Sequence, residues 1–210
     1  MSRDGHCDQY GVTMKTIDFW YEFASSYSYP AAMRVEHQVK REGLTLRWRP
    51  FLLGPIFRSQ GWNNSPFNIY PIKGRYMWRD LERICAKQNL PLKLPVSRFP
   101  QNGLKAARIA LVLEQNARIG DFTCRVYAAS FAEQRDISDD ETLAGILRAL
   151  DLDPATVVAA ANAAENKAKL KVQTDEAIAR GIFGAPSFTI GEELFWGGDR
   201  LDDAIAWAKR

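Results

Sequence analysis

Three hydroxyls, Ser25, Ser26 and Ser28, stand where an aromatic run, KTIDFWYEF (15–23), gives way to a helix-forming segment. A helix N-terminus presents unpaired N–H groups and about half a positive charge, so this turn can hold an anion. Serine here has two readings: a cap for the helix, or a hydroxyl donating to an anionic sulfur or oxygen of a ligand. A nucleophilic serine needs a general base, and the histidines, His6 and His37, do not lie on the turn. Donation is therefore the better chemical role, with the choice among the three hydroxyls open. Phe183-Gly184-Ala185-Pro186-Ser187 is a second candidate. An X–Pro bond has little preference for trans, so Ala185–Pro186 is either a cis bond in a tight turn or a trans proline opening a strand. In Phe195-Trp196-Gly197-Gly198-Asp199-Arg200, Asp199 can cap a helix or receive an ammonium group, while N–H groups of the same turn bind a carboxylate. Lys73 and Arg75 flank Gly74 and read as solvated surface, as most such basic residues are. Cys85 and Cys124 lie in helical stretches and read as buried, inert thiols.

The elements that must position these residues follow from periodicity. Lys15–Phe23 is aromatic and β-branched and predicts a strand. Ala32, Val35 and Val39 predict a helix stopped by Gly43. Leu44, Leu46 and Trp48 alternate with Thr45, Arg47 and Arg49, which predicts a second strand over 44–51 and a right-handed β-α-β unit. Residues 54–74 are rich in Gly, Pro and Asn and predict a long, functional loop, with Phe57, Trp62, Phe67 and Tyr70 arguing against disorder. From about Arg75 to Arg180 only helical patterns occur, among them a stripe of Met77, Leu81, Ile84 and Cys85. Within that stretch S-D-D-E at 138–141 forms a capping box, and Asp153-Pro154 supplies a cap followed by proline at the first helical position. Gly181 ends the last of these helices. Ser187–Ile190 and Leu194–Trp196 predict two more strands, and Asp199 a cap for a final helix carrying Leu201, Ile205 and Ala208. The order is β-α-β, helices, β-β-α.

Bulk properties remove other classes. The 210 residues suffice for a sizeable core. With 46% hydrophobic and 25% charged residues the chain is ordinary for a globular protein. A net charge of +3, evenly spread, argues against nucleic acid and against a polybasic membrane contact. No apolar run approaches the roughly 20 residues that span a bilayer, and the polar start MSRDGHCDQYGVTM lacks the apolar core of a secretion signal. A cytoplasmic location is expected. Cys7, Cys85 and Cys124 are odd in number and show no CxxC spacing, so neither a disulfide framework nor a zinc knuckle is indicated, and no metal site is expected.

Five segments in order, DFWYEFASSYSYPA (18–31), RPFLLGPIF (49–57), PIKGRYMWRDL (71–81), GIFGAPSF (181–188) and FWGGDRLDDA (195–204), resemble the family of kappa-class glutathione transferases and 2-hydroxychromene-2-carboxylate isomerases. That family belongs to the DsbA-like branch of the thioredoxin fold. The resemblance covers roughly residues 15–209 and is nearer to the isomerases. It implies an α/β thioredoxin-like domain, β-α-β … β-β-α, at 15–53 and 181–210. It also implies a loop plus all-helical insertion at 54–180, with 1–14 as a tail. It implies further that the serine matching Ser25 bonds the glutathione sulfur, in the place where a redox relative carries its reactive cysteine. Pro186 would be cis, with the backbone of Ala185 pairing with the cysteinyl unit. Asp199 would hold the γ-glutamyl ammonium, Lys73 the glycyl end, and Asn64, or its neighbour Asn63, a further contact. Two positions depart from the pattern. Ser26 stands where the family often has proline, and Gly198 where it has serine or asparagine.

The implied activity is a glutathione-dependent isomerisation, in which the thiolate adds reversibly to an aromatic enone-pyruvate and is regenerated. Two rivals stand beside it: a kappa-like glutathione transferase or peroxidase, and a non-catalytic thioredoxin-fold binding module. The aromatic 54–74 segment suits a small aromatic or apolar substrate with an anionic end. Trp62 and Phe67, with little periodic structure to bury them, together with the pairing of relatives, imply a homodimer.

Overall fold

The computed structural model describes residues 15–96, 98–114 and 116–210; the expected tail 1–14, with His6 and Cys7, lies outside the described residues. β1 (Thr16–Tyr21), α1 (Ser28–Arg41) and β2 (Thr45–Pro50) form the expected β-α-β unit, with β1 and β2 parallel. A helical series follows: α2 (Leu53–Ser59), α3 (Pro66–Ile69), α4 (Pro71–Lys87), α5 (Leu104–Val112), α6 (Ile119–Phe131), α7 (Asp140–Arg148), α8 (Pro154–Asn162) and α9 (Ala164–Ala179). The chain closes with β3 (Ser187–Ile190), β4 (Glu193–Trp196), a 3₁₀ turn at Gly198–Arg200 and α10 (Leu201–Ala208). The sheet runs β2-β1-β3-β4, and β3 is antiparallel to both its neighbours.

β1 is buried on both faces, and its one charged residue, Asp18, accepts from the Arg47 guanidinium of β2. Phe19 stacks on Tyr21 and Phe188 at centroid distances of 5.2 and 5.4 Å, on the face shared with α1, α5 and α6. Trp20, on the other face, packs with Phe51, Ile56 and Ile182. The helical segment shares the first of these cores, since Phe122, Tyr127, Phe131 and Leu147 join the same buried cluster as Phe19, Tyr21 and Phe23. Fully burying each such side chain is worth roughly 1.5–3 kcal/mol. The Tyr127 hydroxyl also donates to the Glu22 carbonyl at 2.9 Å, fixing α6 to the end of β1 where the serine turn begins.

The structure corrects three sequence expectations. Residues 54–74 are not a long loop: most of α2, all of α3 and the start of α4 lie there. Pro66 and Pro71 open α3 and α4, and Pro55 and Pro30 lie in the first turns of α2 and α1. Proline suits a first turn, where its missing N–H has no intrahelical partner in any case. The cap of α7 is Asp139 rather than Ser138. Its carboxylate accepts from the Thr142 N–H at 2.9 Å, while the Ser138 hydroxyl donates to Asp136. Asp199 does not cap α10, whose start follows the 3₁₀ turn and carries no side-chain cap. Asp153 caps α8 as expected.

Candidate functional site

The turn between β1 and α1 is organised by Glu22. Its carbonyl accepts the Ser25 N–H at 2.9 Å, and its carboxyl accepts the Ala24 N–H at 2.9 Å. The side chain is 8% exposed, and burial pushes its carboxyl up to about 8. On this frame the three serines separate. Ser26 is buried and donates to the Met77 sulfur of α4 at 2.8 Å. Ser28 is fully buried. Ser25 alone among them is partly exposed; its hydroxyl donates to the Ala185 carbonyl at 2.8 Å and accepts from the Ser28 N–H at 3.3 Å. Ser25 accepts from the N–H of the first residue of α1, and its own proton is taken by the Ala185 carbonyl.

The facing wall is built by the two glycine- and proline-containing turns. Ala185–Pro186 is cis, in agreement with the sequence expectation. The Gly197 N–H donates to the Pro186 carbonyl at 2.9 Å. Gly197 has φ +110°, and a Cβ there would collide with the Asp199 carboxylate, so the position requires glycine. Gly198 is seated between α1 and Pro186: a Cβ there would lie 3.5 Å from the Ala31 Cβ and 3.9 Å from the Pro186 Cγ, ordinary contacts. Arg34 of α1 donates to the Gly198 carbonyl. Asp199 is exposed beside this junction and pairs with Arg200 at 3.1 Å.

The third side comes from α3 and α4. The Tyr27 ring packs on Phe67 at 6.0 Å, and its hydroxyl donates to Asp80 at 3.1 Å. Burial and the Asp80 carboxylate raise the Tyr27 phenol. Gly74 lets α4 approach α3, since a Cβ there would strike the Phe67 carbonyl. Lys73, in the first turn of α4, is exposed and takes part in no ion pair among the described residues. Asn64 and Asn63 are exposed, and the Asn64 carbonyl oxygen is engaged within its own turn, accepting from the Ser65 N–H at 2.7 Å and from Asn68 at 3.2 Å.

Ser25 is thus bonded to Ala185, and the Gly197–Asp199 turn lies beside Pro186, bonded to it through the Gly197 N–H. Lys73 and Asn64 stand on the neighbouring elements, linked through Phe67 and Tyr27. Sequence reasoning missed Glu22, Arg34 and Met77. A carboxylate inside the run FWYEF is a signal that marks Glu22. Met77 was legible only as part of a core stripe. Arg34 carries no local signal, because its partner lies 164 residues away. The thiols of Cys85 and Cys124, far along the chain, are pushed up by burial to about 11 and about 12, which keeps them protonated and unreactive at neutral pH. Among the described residues, no three His, Cys, Asp or Glu side chains are gathered to hold a metal ion, and no helix is long and apolar enough to cross a membrane.

A sequence profile of the DSBA-like thioredoxin domain matches residues 16–205. A 2-hydroxychromene-2-carboxylate isomerase of Sphingobium xenophagum is 30% identical over 190 residues, covering 90% of this chain and 95% of the relative. Glutathione S-transferase kappa 2 of Caenorhabditis elegans is 28% identical over 204 residues, covering 89% of this chain and 88% of the relative. The solved structure of a 2-hydroxychromene-2-carboxylate isomerase superposes with a TM-score of 0.83 at 24% identity, over 93% of this chain and 95% of that one. The chain belongs to the DsbA-like thioredoxin family, within the group that holds the 2-hydroxychromene-2-carboxylate isomerases and the kappa-class glutathione transferases.

Proposed function

We propose that the chain is a glutathione-dependent isomerase of the 2-hydroxychromene-2-carboxylate isomerase type, acting on a small aromatic substrate with an anionic end. The observation that carries this reading is the partly exposed Ser25 hydroxyl at the N-terminal end of α1, 2.8 Å from the carbonyl that precedes cis-Pro186. The donor set suits a thiol tripeptide. Ser25 faces a sulfur, the backbone of Ala185 faces a peptide unit, and the Gly198–Asp199 turn faces an amino-acid end. Lys73 and Asn64, or Asn63, complete the set on the α3–α4 side. When bound, glutathione supplies a thiolate that adds reversibly to an enone-pyruvate and leaves unchanged.

The protein's part is to stabilise that charge. A free thiol is only about 3% ionised at pH 7, and lowering its pKa by roughly two units raises this to about three quarters. Two units correspond to about 2.7 kcal/mol, within reach of a helix N-terminus together with one hydroxyl donor. Ser25 provides the donor by turning its proton from the Ala185 carbonyl toward the sulfur, which frees that carbonyl to accept from the ligand's own amide. The cytoplasm, which glutathione keeps reducing, is the compartment this reading requires.

A second reading, a kappa-like transferase, is favoured by the 28% identical relative of that name. A panel of electrophiles separates the two, because transfer consumes glutathione and isomerisation does not. Calorimetric titration with glutathione tests both against a non-catalytic module, and absence of binding overturns them together. The reading includes a homodimer. Trp62 is half-buried against Phe57 and Phe67 against Tyr27, so the apolar surface that supports pairing is instead Tyr70, Ile72 and Tyr76, which are 50%, 76% and 61% exposed.

A further inference from the structure

We infer that Arg34 is the positioning residue of the proposed ligand site, acting through the Gly197–Asp199 turn; the inference rests on the glutathione reading given above. Three hydrogen bonds hold this turn in place. The Gly197 N–H reaches the Pro186 carbonyl at 2.9 Å, and the Arg200 N–H closes the turn onto the Gly197 carbonyl at 3.0 Å. The third is the guanidinium of Arg34 on the Gly198 carbonyl. The first two are backbone to backbone and belong to every sequence that adopts this path. Arg34 is the side chain among them, and it ties the turn to α1, the helix whose N-terminal end carries Ser25.

The local packing makes that tie consequential. Gly198 has no side chain to hold it, and a Cβ built there would face the Ala31 methyl of α1 and the Tyr27 carbonyl just before it, neither of which donates a hydrogen bond. Arg34 is half-buried, its Nε is buried without a partner, and no carboxylate pairs with it among the described residues. An unneutralised guanidinium therefore sits behind a turn that carries the exposed Asp199 carboxylate, a feature suited to an amino-acid end. Its charge favours the anionic part of such a ligand, and its hydrogen bond keeps the turn at a fixed distance from the serine. Loss of either weakens binding without touching the sulfur, so affinity falls while the chemical step stays intact.

The test uses Arg34→Met and Arg34→Lys in the full chain. Calorimetry should show glutathione binding weakened about tenfold or more in Arg34→Met, with kcat at saturating glutathione within about threefold of the parent. Arg34→Lys should recover most of the affinity. Without ligand, amide exchange at Gly198–Arg200 should accelerate in Arg34→Met and leave the core of β1 unchanged. Parental affinity and parental exchange in Arg34→Met overturn the inference, as does a fall in kcat with unchanged affinity. If the parent protein binds no glutathione, the functional reading fails and the inference with it; if the parent binds and Arg34→Met binds equally, only the inference fails.

Discussion

Replacing Glu22 by glutamine should make the protein more stable at neutral pH and leave it unchanged in mild acid. Burial raises the Glu22 carboxyl from its ordinary 4.5 to about 8, against the opposing hydrogen bond from the Ala24 N–H. Below pH 4.5 the folded and unfolded chains both hold the proton, and the group is neutral to stability. Between 4.5 and 8 the folded chain keeps a proton that the unfolded chain has released, so stability falls as pH rises and the loss is complete above 8. At 1.36 kcal/mol per unit this amounts to about 3 kcal/mol at pH 7 and approaches about 5 kcal/mol at the upper limit, as an order of magnitude. Glutamine preserves the acceptor for Ala24 and does not titrate. Urea unfolding of Glu22→Gln and the parent at pH 4, 7 and 8.5 should therefore show curves that coincide in acid and separate upward with pH, at equal m-values. A gain independent of pH, or a loss at pH 8.5, would refute the argument that an uncompensated buried carboxyl underlies the serine turn.

Ser25→Ala should lower turnover tenfold or more, about 1.4 kcal/mol, while the fold is kept. A larger activity loss in Ser26→Ala, whose hydroxyl faces Met77, would reverse the assignment. Gly74→Ala should destabilise by about 1–3 kcal/mol, since its methyl meets the backbone of α3; an unchanged melting temperature would show that α3 is not pressed against α4. Light scattering at micromolar concentration should give twice the 23.8 kDa of one chain, and a mass near one chain would remove the dimer.

What the sequence made legible was local. Ser187–Ile190 could be read because a β-branched and aromatic run is bounded by Pro186 and Gly191, and the structure forms that strand over those residues. Gly43 and Gly181 could be read as helix stops, and both adopt positive φ just past α1 and α9. The 54–74 segment was misread for a local reason as well. Its prolines break helices when they stand inside them and start helices when they stand at the first turn, and composition does not tell the two apart. The choice among Ser25, Ser26 and Ser28 was not local at all. It depends on which hydroxyl a distant helix covers, and the Met77 sulfur that takes Ser26 comes from 51 residues further on.

That covering helix changes what the site is. Ser26 and Tyr27 both bond into α4, through Met77 and Asp80, and Ser25 bonds across to the Ala185 carbonyl before β3. The N-terminal end of α1 is thus gripped from two sides, by the helical segment and by the loop before β3. A helix end held in this way keeps its N–H groups at fixed positions, and electrostatic stabilisation depends on donors that need not reorganise when charge appears. A serine at such an end offers one hydrogen bond and no redox chemistry of its own. On the proposed reading the reactive sulfur arrives with a ligand, and the residues that orient that ligand carry the specificity that a resident cysteine would otherwise carry itself.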